Sequence, residues 1–221
     1  MSINQPFQVT GYHSCDRDAI GLNVLNGRDH LKPSKNRWDW LGSGIYFWEQ
    51  NPERALEYAI QSAEGSQFNK VRIKTPFVIG TTIHLGNCLN LMEPQSLSIL
   101  EEAYDGLLKV HNATGKEMPI NDGPKRFLDC AVLKYVHQSR IDQKKQPYDT
   151  VRSAFQEGKL IYPTAPFTTQ LHIQICVINP EMIKGFFLPR PIEQYNPYLN
   201  SEFVGDEKEG DRPEQQRDHV A

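Results

Sequence analysis

The chain has 221 residues, 38% hydrophobic and 23% charged, which suits one large domain or two small ones with a sizeable core. A net charge of −3 excludes the global basic signature of a nonspecific nucleic-acid binder, while leaving room for a local basic patch. Cys15, Cys88, Cys130 and Cys176 are scattered without a Cys-x-x-Cys pair, which excludes zinc-type spacing; they read as reduced thiols, and no metal is expected.

Residues 1–6 lack the basic region and apolar core of a signal peptide, and no apolar run approaches a membrane span. A cytoplasmic protein with no membrane partner is expected. Residues 7–13 read as a first strand. Asp16 is placed to cap a short helix through Leu25, ended by Asn26-Gly27. A polar, basic loop follows over 28–37, with Lys32, Lys35 and Arg37. Residues 42–47 read as a turn and a short buried strand. Asn51 as N-cap with Pro52 at the first helical position opens a helix to about Ala63. Alternation over 77–85 gives another strand.

Pro94 opens an amphipathic helix whose shared face is Leu97, Leu100, Tyr104, Leu107 and Leu108. Further helices are expected over 126–137 and 149–155, with a brief strand at Leu160-Ile161-Tyr162. In the run Leu171-His172-Ile173-Gln174-Ile175-Cys176-Val177, alternation puts Leu171, Ile173, Ile175 and Val177 on one face and His172, Gln174 and Cys176 on the other. Residues 183–188 supply one more strand, and the acidic, aromatic-poor stretch 204–221 reads as disordered. Strands at both ends around a helical middle make an α+β pattern.

The most informative stretch is Gly42-Ser43-Gly44-Ile45-Tyr46-Phe47. Its glycines permit positive φ and close backbone approach, so a flat ligand can lie against the strand, with Tyr46 and Tyr58 offering aromatic faces. Tyr12-His13-Ser14 and the polar face His172/Gln174 are two further elements able to converge on the same cleft.

In this order, His13, the Gly42-to-Phe47 segment leading through Ala55 to Tyr58, and Gln174 resemble the ADP-ribosyltransferases of the diphtheria-toxin and poly(ADP-ribose) polymerase branch. Small bacterial members look closest. The second motif is fairly specific; the first and third carry weight through their order. The resemblance implies an ADP-ribosyltransferase-like domain over 1–190, with a split, bent β core, an NAD cleft and a helical insertion. Residues 191–221 would form a C-terminal extension. It also implies that His13 bonds the adenosine ribose and the Ser14 backbone holds the nicotinamide amide. Gly44 would permit close approach, and Tyr46 and Tyr58 would sandwich the ring. Gln174 would accept from the nicotinamide ribose 2′-hydroxyl, and His172 would position or deprotonate the acceptor nucleophile.

The family's strongest transferases carry Glu where Gln174 stands, and an amide stabilises positive charge less than a carboxylate does. The resemblance therefore implies mono-ADP-ribosyl transfer rather than polymer formation. NAD would be the substrate and a protein or nucleic acid the acceptor, in a toxin or phage-defence role, with an antitoxin-type inhibitor as a further partner. Glu49 is a candidate for the missing carboxylate. The alternatives are a non-catalytic NAD- or ADP-ribose-binding module on the same fold and, ranked last, a phosphate-removing RNA enzyme.

Overall fold

The computed structural model describes residues 7–65 and 73–201. Among these, the strands are β1 (Gln8–Asp16), β2 (Ile45–Glu49), β3 (Pro76–His84), β4 (Cys88–Asn90), β5 (Thr150–Phe155), β6 (His172–Val177) and β7 (Ile183–Phe187). They join into one open sheet in the order β4-β5-β6-β2-β1-β3-β7, mixed because β4 and β5 run parallel while the other neighbours are antiparallel. The helices are α1 (Leu22–Leu25), α2 (Pro52–Ala63), α3 (Pro94–Thr114), α4 (Phe127–Asp142) and α5 (Ile192–Tyr195). The α+β expectation holds. No described helix is long and apolar enough to cross a membrane.

Strand alternation divides the side chains between two faces. One carries Val9, Cys15, Ile45, Phe47, Phe77, Ile79, Ile175 and Val177, packed with Val24 of α1 and Leu31. The other is covered by two separate groups. α2 packs on β1, β2 and β3 around Trp48, Ala55 and Val78. α3 and α4 cover the β4–β5–β6 end around Leu107, Leu133, Val151 and Cys176. Tyr46, Gln174 and Ser153 lie on this second face, Gln174 being paired with Trp48 on one side and Ser153 on the other.

Three expectations are corrected. Leu160-Ile161-Tyr162 is not a strand; Leu160 makes only an isolated bridge to Thr168. The stretch expected as a helix over 149–155 is a strand from Thr150 to Phe155. Asp149 does not cap; its carboxylate accepts from Asn87 N–H and Asn179 Nδ2, both at 2.8 Å, while the fully buried Thr150 and Val151 suit a sheet flanked by two strands. In α3 the buried positions are Ser96, Ala103 and Leu107, whereas Leu97 and Tyr104 are exposed. Tyr135 of α4 fills the space where Gly106 would carry a side chain, so small residues mark the α3–α4 seam and bulkier ones flank it.

Asp16 caps as expected, at the π-helical turn Arg17–Gly21 that leads into α1, though β1 runs on past the expected residue 13 to reach it, and it does more than cap. Its carboxylate accepts from the N–H groups of Asp18 (3.1 Å), Ala19 (2.9 Å), Lys74 (2.7 Å) and Thr75 (3.1 Å). Burial opposes its ionisation, but these donors outweigh that and hold its pKa below the usual carboxylate value. Beyond residue 191 the chain stays bound to the sheet. Where β7 stops pairing β3, the buried Asn196 side chain accepts from Val78 N–H (2.8 Å) and donates to its carbonyl (3.0 Å). Arg17 Nη1 donates to the carbonyls of Tyr198 and Ser201, both at 2.8 Å. The stretch 204–221 lies outside the described residues.

Asp16→Ala should lower stability at pH 7 by about 2–3 kcal/mol in denaturant unfolding, since it orphans several buried N–H groups. Because the folded pKa of Asp16 is depressed, its contribution is present above the ordinary carboxylate pKa and is lost as pH falls through the folded value. The gap between wild type and variant should therefore narrow on strong acidification.

Candidate functional site

β1 and β2 are in register at only two positions, Gly11 opposite Glu49 and Tyr12 opposite Trp48. Gln50 N–H donates to the Thr10 carbonyl (2.9 Å), so the even-numbered residues of β1 turn their peptide groups toward β2. The next pair in that series would be Ser14 with Tyr46. It does not form. His13 Nδ1 donates to the Tyr46 carbonyl instead (2.8 Å), taking the acceptor that Ser14 N–H would have used. Farther on, Gly44 exchanges two backbone bonds with Ser34 (2.8 and 3.1 Å), so the returning loop stands where β1 would have continued.

The strands thus part between Tyr12 and Ser34. By parity the Ser14 N–H and C=O face that gap. The Ser14 hydroxyl is committed elsewhere, donating to the Ala55 carbonyl of α2. A peptide N–H and C=O that face the same way without a strand partner can bond a planar carboxamide.

Tyr46 is half-buried beside this peptide. Its hydroxyl donates to the Gly42 carbonyl (2.6 Å) and accepts from Leu41 N–H (2.9 Å), so the turn before β2 fixes the ring. Gly42 has φ +81°, the left-handed region that the turn requires. Gly44 lacks a side chain for a different reason than expected. A Cβ there would collide with Cys176 Sγ and lie 2.7 Å from the Val177 carbonyl oxygen, so the close approach is to β6. Tyr58 is half-buried and packs against Trp48 with ring centroids 5.1 Å apart. Gln174, also half-buried, is the diagonal neighbour of Tyr46 on the same face, since Tyr46 pairs with Cys176 and Trp48 with Gln174.

The two histidines differ in setting. His13 lies on the opposite face from Tyr46 and Gln174, its ring 5.6 Å from Phe47, and it reaches the gap through the plane of the sheet. His172 is buried between Trp48 (6.4 Å) and Phe155 (6.0 Å), and its Nδ1 donates to the Gln170 carbonyl (2.7 Å). A carbonyl only accepts, so in both neutral rings Nδ1 carries the proton and Nε2 is the lone-pair acceptor. Burial lowers both pKa values, against the opposing pull of those carbonyl bonds. His172 Nε2 has no hydrogen-bond partner among the described residues.

Glu49 is not free to supply a carboxylate. Both its oxygens bond Arg152, to Nε (2.5 Å) and Nη2 (2.7 Å), with the two side chains 8% and 11% exposed. Odd-numbered in β2, it sits on the face opposite Gln174. Of the basic loop, Lys32 pairs loosely with Asp29 (3.7 Å), and Lys35 and Arg37 are exposed.

Sequence reasoning missed two neighbours, Ser153 and Trp48, which flank Gln174 across the sheet, while Trp40 is the packing residue expected, edge-on against Phe155 at 4.7 Å. It also missed the buried Arg54, whose Nη2 donates to Glu157 (2.8 Å) and which lines a cavity of about 250 Å³ with Glu57 and Gln170. Among the described residues no group of His, Cys, Asp or Glu is placed to hold a metal. Compared with protein families, curated proteins and solved structures, the chain matches none of them.

A buried neutral histidine lowers stability when the unfolded chain takes up protons that the folded one does not. With folded pKa values below the ordinary 6.5 at His13, His137 and His172, stability should hold above pH 6.5 and fall as pH drops toward 5. Thermal unfolding across that range should show a smaller decline in His172→Phe than in wild type.

Proposed function

We propose that the protein is an NAD-dependent mono-ADP-ribosyltransferase. The observation that carries this reading is the Ser14 peptide left without its β2 pair beside Tyr46, where His13 takes the Tyr46 carbonyl. Nicotinamide ends in a planar carboxamide, one donor and one acceptor, which matches that peptide. The short β1–β2 ladder also supports the finer architecture suggested by the sequence, a split core with NAD in the cleft.

In this reading the ring lies between the faces of Tyr46 and Tyr58, with the carboxamide on Ser14. His13 Nε2, left as an acceptor by the Nδ1 bond, takes a ribose hydroxyl. Gln174 accepts from the 2′-hydroxyl of the nicotinamide ribose. The glycosidic C–N bond breaks with its electron pair passing to the nicotinamide nitrogen, leaving an oxocarbenium-like ribose. A nucleophile on a protein or nucleic-acid acceptor then bonds to the anomeric carbon and gives up its proton, for which His172 Nε2 is the nearby base. Lys35 and Arg37 are candidates to meet the pyrophosphate.

A second reading is favoured by one observation: Gln174 carries no charge and the nearest candidate, Glu49, is spent on Arg152. The fold would then bind NAD or ADP-ribose without chemistry.

Labelled NAD incubated with the protein and a cell lysate should transfer label and release nicotinamide; absence of both, with NAD still bound, would select the binding module. Tyr46→Ala should abolish NAD binding, with Tyr46→Phe keeping the aromatic face as a control for folding. Gln174→Ala should reduce turnover more than affinity. Gln174→Glu should raise turnover by roughly tenfold or more, since a carboxylate stabilises the developing cation better than an amide. An unchanged rate in both Gln174 variants would remove that residue from the site.

A further inference from the structure

Gln174 lies on β6 between β2 and β5, and no described residue holds its amide by a hydrogen bond. Its position is therefore set by the strand beneath it. The register shows what fixes that strand. Trp48 opposes Gln174, which places Glu49 level with Ile173; Arg152 opposes Ile175. Glu49 and Arg152 belong to the two strands flanking β6, and both point to the face away from Gln174. Their bidentate pair therefore crosses β6 between Ile173 and Ile175, directly behind the Gln174 backbone.

We propose that Glu49 and Arg152 are positioning residues that lock β2, β6 and β5 at the level of Gln174 and so fix its amide relative to Tyr46. Removing two charges from water is costly, and a buried ion pair is often no more stabilising than a well-packed apolar pair of similar volume. What such a pair adds is geometry. The guanidinium fork accepts a carboxylate in one planar arrangement, and the side chains are long enough to reach across an intervening strand. The same strand spacing left to apolar side chains would be held only by the backbone ladder.

This inference rests on the transferase reading for its catalytic meaning, but the placement of Gln174 can be read without NAD. The double variant Glu49→Leu/Arg152→Met exchanges the pair for apolar residues. Its unfolding midpoint should return close to wild type, while either single variant, with a lone buried charge, should unfold much more easily. Arg152→Lys keeps the charge without the fork and serves if the double variant does not fold.

In a folded variant the Gln174 side-chain amide resonances should shift or broaden. NAD turnover should fall by roughly tenfold or more at nearly unchanged NAD affinity. Wild-type amide resonances in the double variant, or in Arg152→Lys when that is the one that folds, would overturn the proposal. Wild-type protein without NAD turnover would remove the transferase reading alone, leaving the amide resonances to decide the positioning role.

Discussion

A single hydrogen bond decides the character of this fold. When His13 Nδ1 takes the Tyr46 carbonyl, the ladder between β1 and β2 stops two pairs after it starts. Backbone groups are strong and obligatory hydrogen-bonding sites, so a ladder ends only where something else satisfies them. On the β2 side that partner is an imidazole. On the β1 side Ser14 makes no pair with β2. Farther along, Ser34 takes the backbone of Gly44 and closes the gap from below. The sheet stays continuous, with the β1–β2 ladder cut short beside Tyr46.

The rest of the structure holds that region in shape. α2 anchors β1 through the Ser14 hydroxyl and supplies Tyr58, while the turn at Leu41-Gly42 grips the Tyr46 hydroxyl. α3 and α4 cover the far end of the same face, leaving Tyr46, Ser153 and Gln174 where the two helical covers meet the sheet. Behind the sheet, a buried ion pair ties three strands together. Both faces carry buried apolar clusters, and each also holds polar groups, Glu49–Arg152 and His13 on the Phe47 side and Tyr46 and Gln174 on the other.

Local chemistry made part of this legible in the sequence. Asn51-Pro52 starts α2 at Pro52, and Asp16 caps where expected, because both signals act within three residues. The alternation of β6 placed His172, Gln174 and Cys176 together, because a strand's period is a backbone property. Residues 149–155 misled for the opposite reason: an Asp before a mixed segment resembles a helix cap, and only pairing with β4 and β6, distant in sequence, makes it a strand. Glu49 was legible as an acidic residue near the site. Its partner, 103 positions away, was not. At Gly44 the sequence does not show that a side chain would meet Cys176 and Val177 of β6, since those lie far along the chain. Nor does the sequence show that Ser14 contributes through a broken ladder, since that depends on a bond made by its neighbour.

The central claim is that the freed Ser14 peptide receives a carboxamide. Backbone amide resonances of isotope-labelled protein, followed during titration with nicotinamide alone, test it most directly. The account predicts that Ser14 N–H moves downfield and saturates, together with shifts confined to residues around Tyr46 and Tyr58. A Ser14 resonance that stays in place while other residues respond would contradict it.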